Sequence, residues 1–124
     1  MFHHESDMKS ALDQPSQFYS GVRHWRLQRI SAIVLIPLSL WAVVELVPLP
    51  AQNYATALAW IQQPLSIGLL LFLVLTLYLH AALGVQVVLE DYVSDPLRSR
   101  LVVITHAIAS VGALATLGAL FSVY

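Results

Sequence analysis

One histidine stands far inside an uncharged apolar run. His80 falls within the stretch from Leu65 to Leu89, 25 residues without a formal charge. An imidazole at that depth is costly to hold in lipid and marks a functional site by default. Its chemistry is ligation of haem iron or a hydrogen bond to a neighbouring helix. Eleven residues further on comes Asp91, followed by Tyr92. On a helix, eleven steps return the chain to within about 20° of its starting direction, roughly 16 Å along the axis. One face therefore carries a buried imidazole and, near a membrane surface, an acid beside a phenol.

Leu73, Thr76, His80, Gly84, Val87 and Asp91 follow steps of three and four and so form one stripe. Gly84 stands one turn from His80 and leaves a gap of the kind a flat macrocycle needs when it lies edge-on to a helix. The plainer reading is interhelical packing at Gly84 and an interhelical hydrogen bond at His80. A low-spin haem takes two axial ligands. The other membrane histidine, His106, would require two helices of one chain to splay apart around a porphyrin, so a second ligand from a partner subunit is the simpler arrangement. His106 then reads as an interhelical or near-surface histidine. At the membrane edge, Tyr92 offers an O–H donor, Asp91 a carboxylate and Arg29 a fixed cation. A quinone needs a donor to its carbonyl oxygens and a proton source. Arginine also pairs with haem propionates. The competing reading is an aromatic belt residue beside a solvated acid.

The composition says where these groups must work. The chain has 124 residues, 58% hydrophobic and 10% charged, with mean hydropathy +0.73. A soluble protein carries about 25% charged residues. Such a chain cannot cover a water-facing surface, and the lipid bilayer is its expected surroundings. The net charge of −1 carries no sign of a nucleic-acid partner. There is no cysteine, so iron–sulfur ligation and disulfides within the chain are excluded.

The expected organisation is a polar N-terminal tail, 1–17, mobile in water, followed by one membrane domain, 18–124. His3 and His4 read as solvated tail residues rather than a metal site. Arg23, Arg26 and Arg29 lie three apart beside Trp25, a basic collar at a membrane surface. Ile30 to Leu49, at about 1.5 Å per residue, gives roughly 30 Å and one crossing. Pro37 is expected to kink it. Glu45 reads as a carboxylate near the far headgroups or as part of a proton relay. Pro48 and Pro50 end this span, and 52–63 reads as a short helix lying at the interface. The second span is 65–89, long enough to tilt. Residues 90–100 form a polar turn and 101–124 a third span. Ala109, Gly112, Ala113, Ala115, Thr116 and Ala119 suit close contact with another helix. The fold class is thus an all-α membrane protein of three transmembrane helices. Lys9, Arg23, Arg26 and Arg29 precede the first span and Arg98 and Arg100 lie between the second and third. The 50–64 loop has no Lys or Arg. The positive-inside rule puts the N-terminus on the cytoplasmic or matrix side. The tail lacks the features of a secretory signal or a transit peptide, which favours a bacterial inner membrane over a mitochondrial one.

Two segments, in order, resemble a known family. His80 to Val93 is similar to a His-x-x-x-Gly…Asp-Tyr-Val signature, and Trp25-Arg26-Leu27-Gln28-Arg29-Ile30-Ser31-Ala32 to a Trp-x-x-Gln-Arg-x-Ser/Thr-Ala start of the first helix. Both resemble the small hydrophobic membrane anchor of succinate dehydrogenase, respiratory complex II. The resemblance covers Trp25 to Val93, and the third span matches by architecture alone.

The resemblance implies a non-catalytic subunit of an enzyme complex in the tricarboxylic acid cycle and respiratory chain. It implies a second membrane anchor (cytochrome b) subunit, an iron–sulfur subunit and a flavoprotein subunit as partners. Haem b would lie between the two anchors, and ubiquinone would be reduced at the membrane edge. His80 matches the haem axial ligand, Arg29 the arginine near the haem propionates and quinone pocket, and Tyr92 and Asp91 the quinone-binding pair. The alternatives are a fumarate reductase-type anchor, with electrons running the other way, and a haem-free three-helix membrane scaffold.

Overall fold

The computed structural model describes the backbone of residues 3–124 and, before Ser20, only the side chains of Glu5, Ser6, Met8 and Lys9. Most side chains of the expected tail, including those of His3 and His4, lie outside the described residues. The elements are α1, His3–Leu46; a 3-10 turn, Leu49–Ala51; α2, Tyr54–Ile61; α3, Pro64–Tyr92; and α4, Leu97–Val123. Among the described residues, three segments are long and apolar enough to cross a membrane, Ser20–Ala51, Pro64–Tyr92 and Leu97–Val123. No strand occurs among the described residues.

Proline punctuates the chain where expected, and an asparagine adds a cap. Pro48 and Pro50 follow the end of α1. Asn53 caps α2, its side chain accepting the Thr56 backbone N–H at 2.8 Å. Pro64 occupies the first turn of α3, where its missing N–H costs nothing. In two places the helices run further than hydropathy indicates. α1 continues back through the basic collar and passes Pro37 without a break, and α3 keeps going through Glu90-Asp91-Tyr92. The polar turn expected at 90–100 is confined to 93–96, because a helix needs backbone partners rather than apolar side chains. Gln86 donates to Glu90 one turn on, at 2.8 Å, and helps the last turn close. At the start of α4, Asp95 accepts the Ser99 hydroxyl at 2.7 Å and pairs with Arg98. The Ser99 bond first, and then the Arg98 charge, hold the Asp95 carboxyl below the usual carboxylate range.

α3 is the central helix, packed against α1 on one side and α4 on the other. On α1 the buried positions among the described residues are Ser31, Leu35, Leu38 and Ala42, one face at steps of four, three and four. α3 buries Ser66, Ile67, Leu70, Thr76, Ala82 and Leu83. Against α4, Gly112 lets the Tyr78 ring approach so closely that a Cβ there would meet Cε1 at 2.7 Å. The Tyr78 hydroxyl lies 3.3 Å from Thr116 Oγ1. Thus Gly112 and Thr116 make the close contact expected of the small residues in span three, whereas Ala115 and Ala119 face outward.

The outer surface is apolar. Ile33, Ile36, Leu40 and Val44 on α1 and Ile108, Val111 and Leu114 on α4 are all exposed. No residue of α4 is buried. Patches of this extent are untenable in water and cost nothing against lipid tails or a neighbouring membrane subunit.

Candidate functional site

The site is built on one stripe of α1 and the matching face of α3. His24, Gln28 and Ser31 are spaced four and three apart and continue the line of Leu35, Leu38 and Ala42 toward the N-terminal end. The inner face of α1 is therefore apolar in one half and polar in the other. The polar half meets α3 at His80. Ser31 Oγ lies 2.9 Å from His80 Nδ1 and donates to the Gln28 carbonyl at 3.0 Å. Ser31 is 4% exposed, so no water competes for these bonds.

Beside this contact is an open-sided cavity of about 380 Å³ between α1 and α3. Its lining includes His24, Gln28, Arg29, His80 and Val87. The Arg29 guanidinium sits 5.7 Å from the centre of the Trp25 ring, a cation–π contact that holds it at the rim. Two polar atoms here, His24 Nε2 and Gln28 Oε1, are buried without a hydrogen-bond partner among the described residues. Buried polar groups left unpaired cost about 1–3 kcal/mol each, so such atoms commonly await a water or a ligand. His24 also lines a second cavity, of about 540 Å³, with Arg23, Gln86 and Glu90. These residues join the basic collar of α1 to the C-terminal end of α3, so both lie at the same end of the bundle.

The candidate residues divide into two sets. His80 and Arg29 line one cavity. Asp91 and Tyr92 do not; they stand on the last turn of α3, facing outward, with Tyr92 85% exposed. Neither side chain makes a hydrogen bond among the described residues. Gly84 is nearer to packing than to a vacant slot. A Cβ there would meet the Gln28 amide nitrogen at 3.5 Å, an ordinary contact.

His106 is an interhelical histidine. Its Nε2 donates to Gln86 Oε1 at 2.7 Å, tying α4 to α3 on the side away from the His80 cavity. Glu45 is a carboxylate at the far end of the bundle, accepting the Trp60 indole N–H at 2.8 Å.

Sequence reasoning passed over Ser31, His24 and Gln28 as site residues. Their signal was the polar stretch at steps of four and three, running straight into an apolar stripe.

No group of three or more His, Cys, Asp or Glu side chains that could by itself hold a metal ion occurs among the described residues. A single imidazole such as His80 would need the rest of its metal's coordination from a macrocycle and another chain.

Comparison with known proteins gives a consistent result. A family model described as "Succinate dehydrogenase/Fumarate reductase transmembrane subunit" matches residues 7–117. The chain is 39% identical over 85 residues to a protein of Rickettsia bellii, covering 68% of each. It is 35% identical over 105 residues to one of Rickettsia conorii, covering 82% of each. With one of Rickettsia felis it shares 36% identity over 104 residues, 82% of this chain and 86% of that protein. All three relatives carry the name succinate dehydrogenase hydrophobic membrane anchor subunit. No solved structure matches the chain.

Proposed function

The chain belongs to the family of succinate dehydrogenase and fumarate reductase transmembrane subunits, and from that premise we propose that it holds haem b jointly with a second anchor subunit and forms one wall of a ubiquinone-reducing site. Its place as a multi-pass membrane anchor subunit of succinate dehydrogenase rests on the family match and on the Rickettsia relatives. The remaining partners in this reading are an iron–sulfur subunit and a flavoprotein subunit, and the location is a bacterial inner membrane.

One observation carries the haem reading. His80 and Arg29 line the same open-sided cavity, together with two buried polar atoms that have no hydrogen-bond partner among the described residues. An imidazole suits axial ligation, and a guanidinium suits a propionate carboxylate. The missing side of the cavity would be closed by the second anchor. The residues present therefore fit a haem whose other ligand comes from outside.

A bound haem would supply a one-electron carrier between the anchors. The chain's own residues have simpler tasks. His80 would ligate through Nε2, and Arg29 would neutralise a carboxylate at the rim. Tyr92 would donate its O–H to a quinone carbonyl oxygen, and Asp91 would hold a proton one residue away. The outward placement of Asp91 and Tyr92 supports a quinone bound at a seam between this chain and its neighbours rather than inside it.

The test is to purify the complex through a tag on the full chain and record its visible spectrum. The wild type is expected to bring down a flavoprotein and an iron–sulfur protein and to show b-type absorption, which His80→Ala weakens or alters. A colourless preparation without flavoprotein would instead identify a haem-free scaffold. The bound quinone separates the quinone-reducing direction from its fumarate-reducing counterpart, ubiquinone supporting the first and menaquinone the second.

A further inference from the structure

We propose that Ser31 is a positioning residue that sets the tautomer of His80, keeping the imidazole proton on Nδ1 and leaving the Nε2 lone pair free for a metal. This rests on the reading of His80 as a haem ligand, and deepens it.

Ser31 Oγ has two neighbours, the Gln28 carbonyl oxygen at 3.0 Å and His80 Nδ1 at 2.9 Å. A carbonyl oxygen can only accept, and a hydroxyl has one proton to give. If Ser31 gave that proton to Nδ1, two oxygen lone pairs would face each other across 3.0 Å with no hydrogen between them. One arrangement satisfies both contacts. Ser31 donates to Gln28, and His80 Nδ1–H donates to Ser31. A neutral imidazole protonated at Nδ1 carries its lone pair on Nε2.

The surroundings enforce this choice. Ser31 is buried, so water cannot take over either bond. The Gln28 carbonyl belongs to α1 and is fixed by the helix. Among the described residues His80 makes no other hydrogen bond, so Nε2 is not held elsewhere. Metal-bound histidines generally donate their other ring N–H to an acceptor that fixes ring orientation and raises ligand basicity. Here that acceptor is a serine hydroxyl on the neighbouring helix, itself polarised by donating onward to a carbonyl. The α1–α3 contact thereby becomes part of the ligand's geometry, although Ser31 itself would touch neither iron nor porphyrin.

The experiment compares Ser31→Ala, Ser31→Thr and His80→Ala in the purified complex, reading haem retention and haem reduction potential. Loss of such an acceptor costs about 10–100-fold in metal affinity in other sites. Ser31→Ala is expected to lose haem more readily by a factor in that range. The haem that remains should have a raised potential, because the imidazole donates less electron density to iron. Ser31→Thr keeps a hydroxyl and should restore both. If Ser31→Ala matches the wild type in retention and potential while His80→Ala is haemless, Ser31 has no such role and the ligand assignment stands. If His80→Ala keeps an unaltered haem, both the assignment and the tautomer proposal fall. Should Ser31→Ala not assemble, the wild-type full chain in lipid bilayers, labelled with 15N-histidine and without haem, still decides the matter. A His80 signal protonated at Nδ1 supports the proposal, and one protonated at Nε2 overturns it.

Discussion

Glu45 accepts a hydrogen bond from the indole N–H of Trp60 at 2.8 Å, which fastens the short helix α2 to the end of the first span. Trp60 also stacks on Trp41, with ring centres 6.2 Å apart and planes 22° from parallel. Nearby, the Gln62 side chain donates to the Val123 carbonyl at 3.0 Å. The far end of the bundle is thus closed by α2, tied to α1 through Trp60, and by the following Gln62, tied to the end of α4. α2 has eight residues and no buried one, so it is too short to be stable without such ties.

Trp60→Phe keeps an aromatic ring against Trp41 and removes the donor to Glu45. A hydrogen bond to a charged group is worth about 1.5–3 kcal/mol, and a partly buried carboxylate would be left without its partner. Exchange of the backbone amides of Tyr54–Ile61 is expected to accelerate by roughly 10–150-fold, while those around His80 keep their rates. Hydrogen exchange in a bilayer or detergent micelle measures this directly. Unchanged α2 protection would show that the stacked rings alone hold the helix down.

The α3–α4 contact makes a second, independent prediction. Gly112→Ala would gain about 1 kcal/mol in helix propensity on its own. Against that, the new Cβ would lie 2.7 Å from Tyr78 Cε1, 3.0 Å from its hydroxyl oxygen and 3.1 Å from Cζ. The ring must move, and with it the bond to Thr116. Overpacking of this kind costs about 1–3 kcal/mol, so the net effect is destabilisation by up to about 2 kcal/mol. Tyr78→Leu should abolish the penalty of the added methyl. A double-mutant cycle in an unfolding titration checks this, with a coupling of about 0.5–3 kcal/mol expected between the two positions. Additive effects would mean the helices separate rather than resist.

The broad fold was readable from run lengths and punctuation. Ile30 to Leu49 and Leu65 to Leu89 are long enough to cross a bilayer, and Pro48 and Pro50 mark the end of the first. The stripe through His80 was readable too, because helical periodicity needs no knowledge of neighbours. What faces that stripe was not. The Ser31–His80 bond spans 49 positions and depends on how α1 is rotated against α3. Periodicity places Ser31 on a face without saying which helix the face meets. The same holds for His106 and Gln86, 20 positions apart, and for Glu45 and Trp60. Helix ends were misjudged for a different reason. Glu90-Asp91-Tyr92 is polar because it leaves the lipid, and hydropathy cannot distinguish leaving the membrane from leaving the helix.

The exposure of Tyr92 yields the sharpest functional prediction. Its side chain is 85% exposed and makes no hydrogen bond among the described residues, so the chain itself gains nothing from the phenol hydroxyl. Tyr92→Phe should therefore leave the stability of the bundle within about 0.5 kcal/mol of the wild type. If the hydroxyl donates to a quinone carbonyl, its removal costs about 1–1.4 kcal/mol in the reaction, roughly a five- to tenfold loss in rate. Two assays on one purified complex separate these effects. Succinate oxidation with an artificial dye acceptor, which takes electrons upstream of the membrane, should be unchanged. Quinone reduction should slow by about five- to tenfold, and Asp91→Asn should slow it in the same assay by withdrawing a proton source. Equal losses in both assays would trace the defect to docking of the soluble subunits. Full activity in both would leave Tyr92 as an aromatic anchor at the membrane surface, and the quinone wall would have to be sought elsewhere on the same end of the bundle.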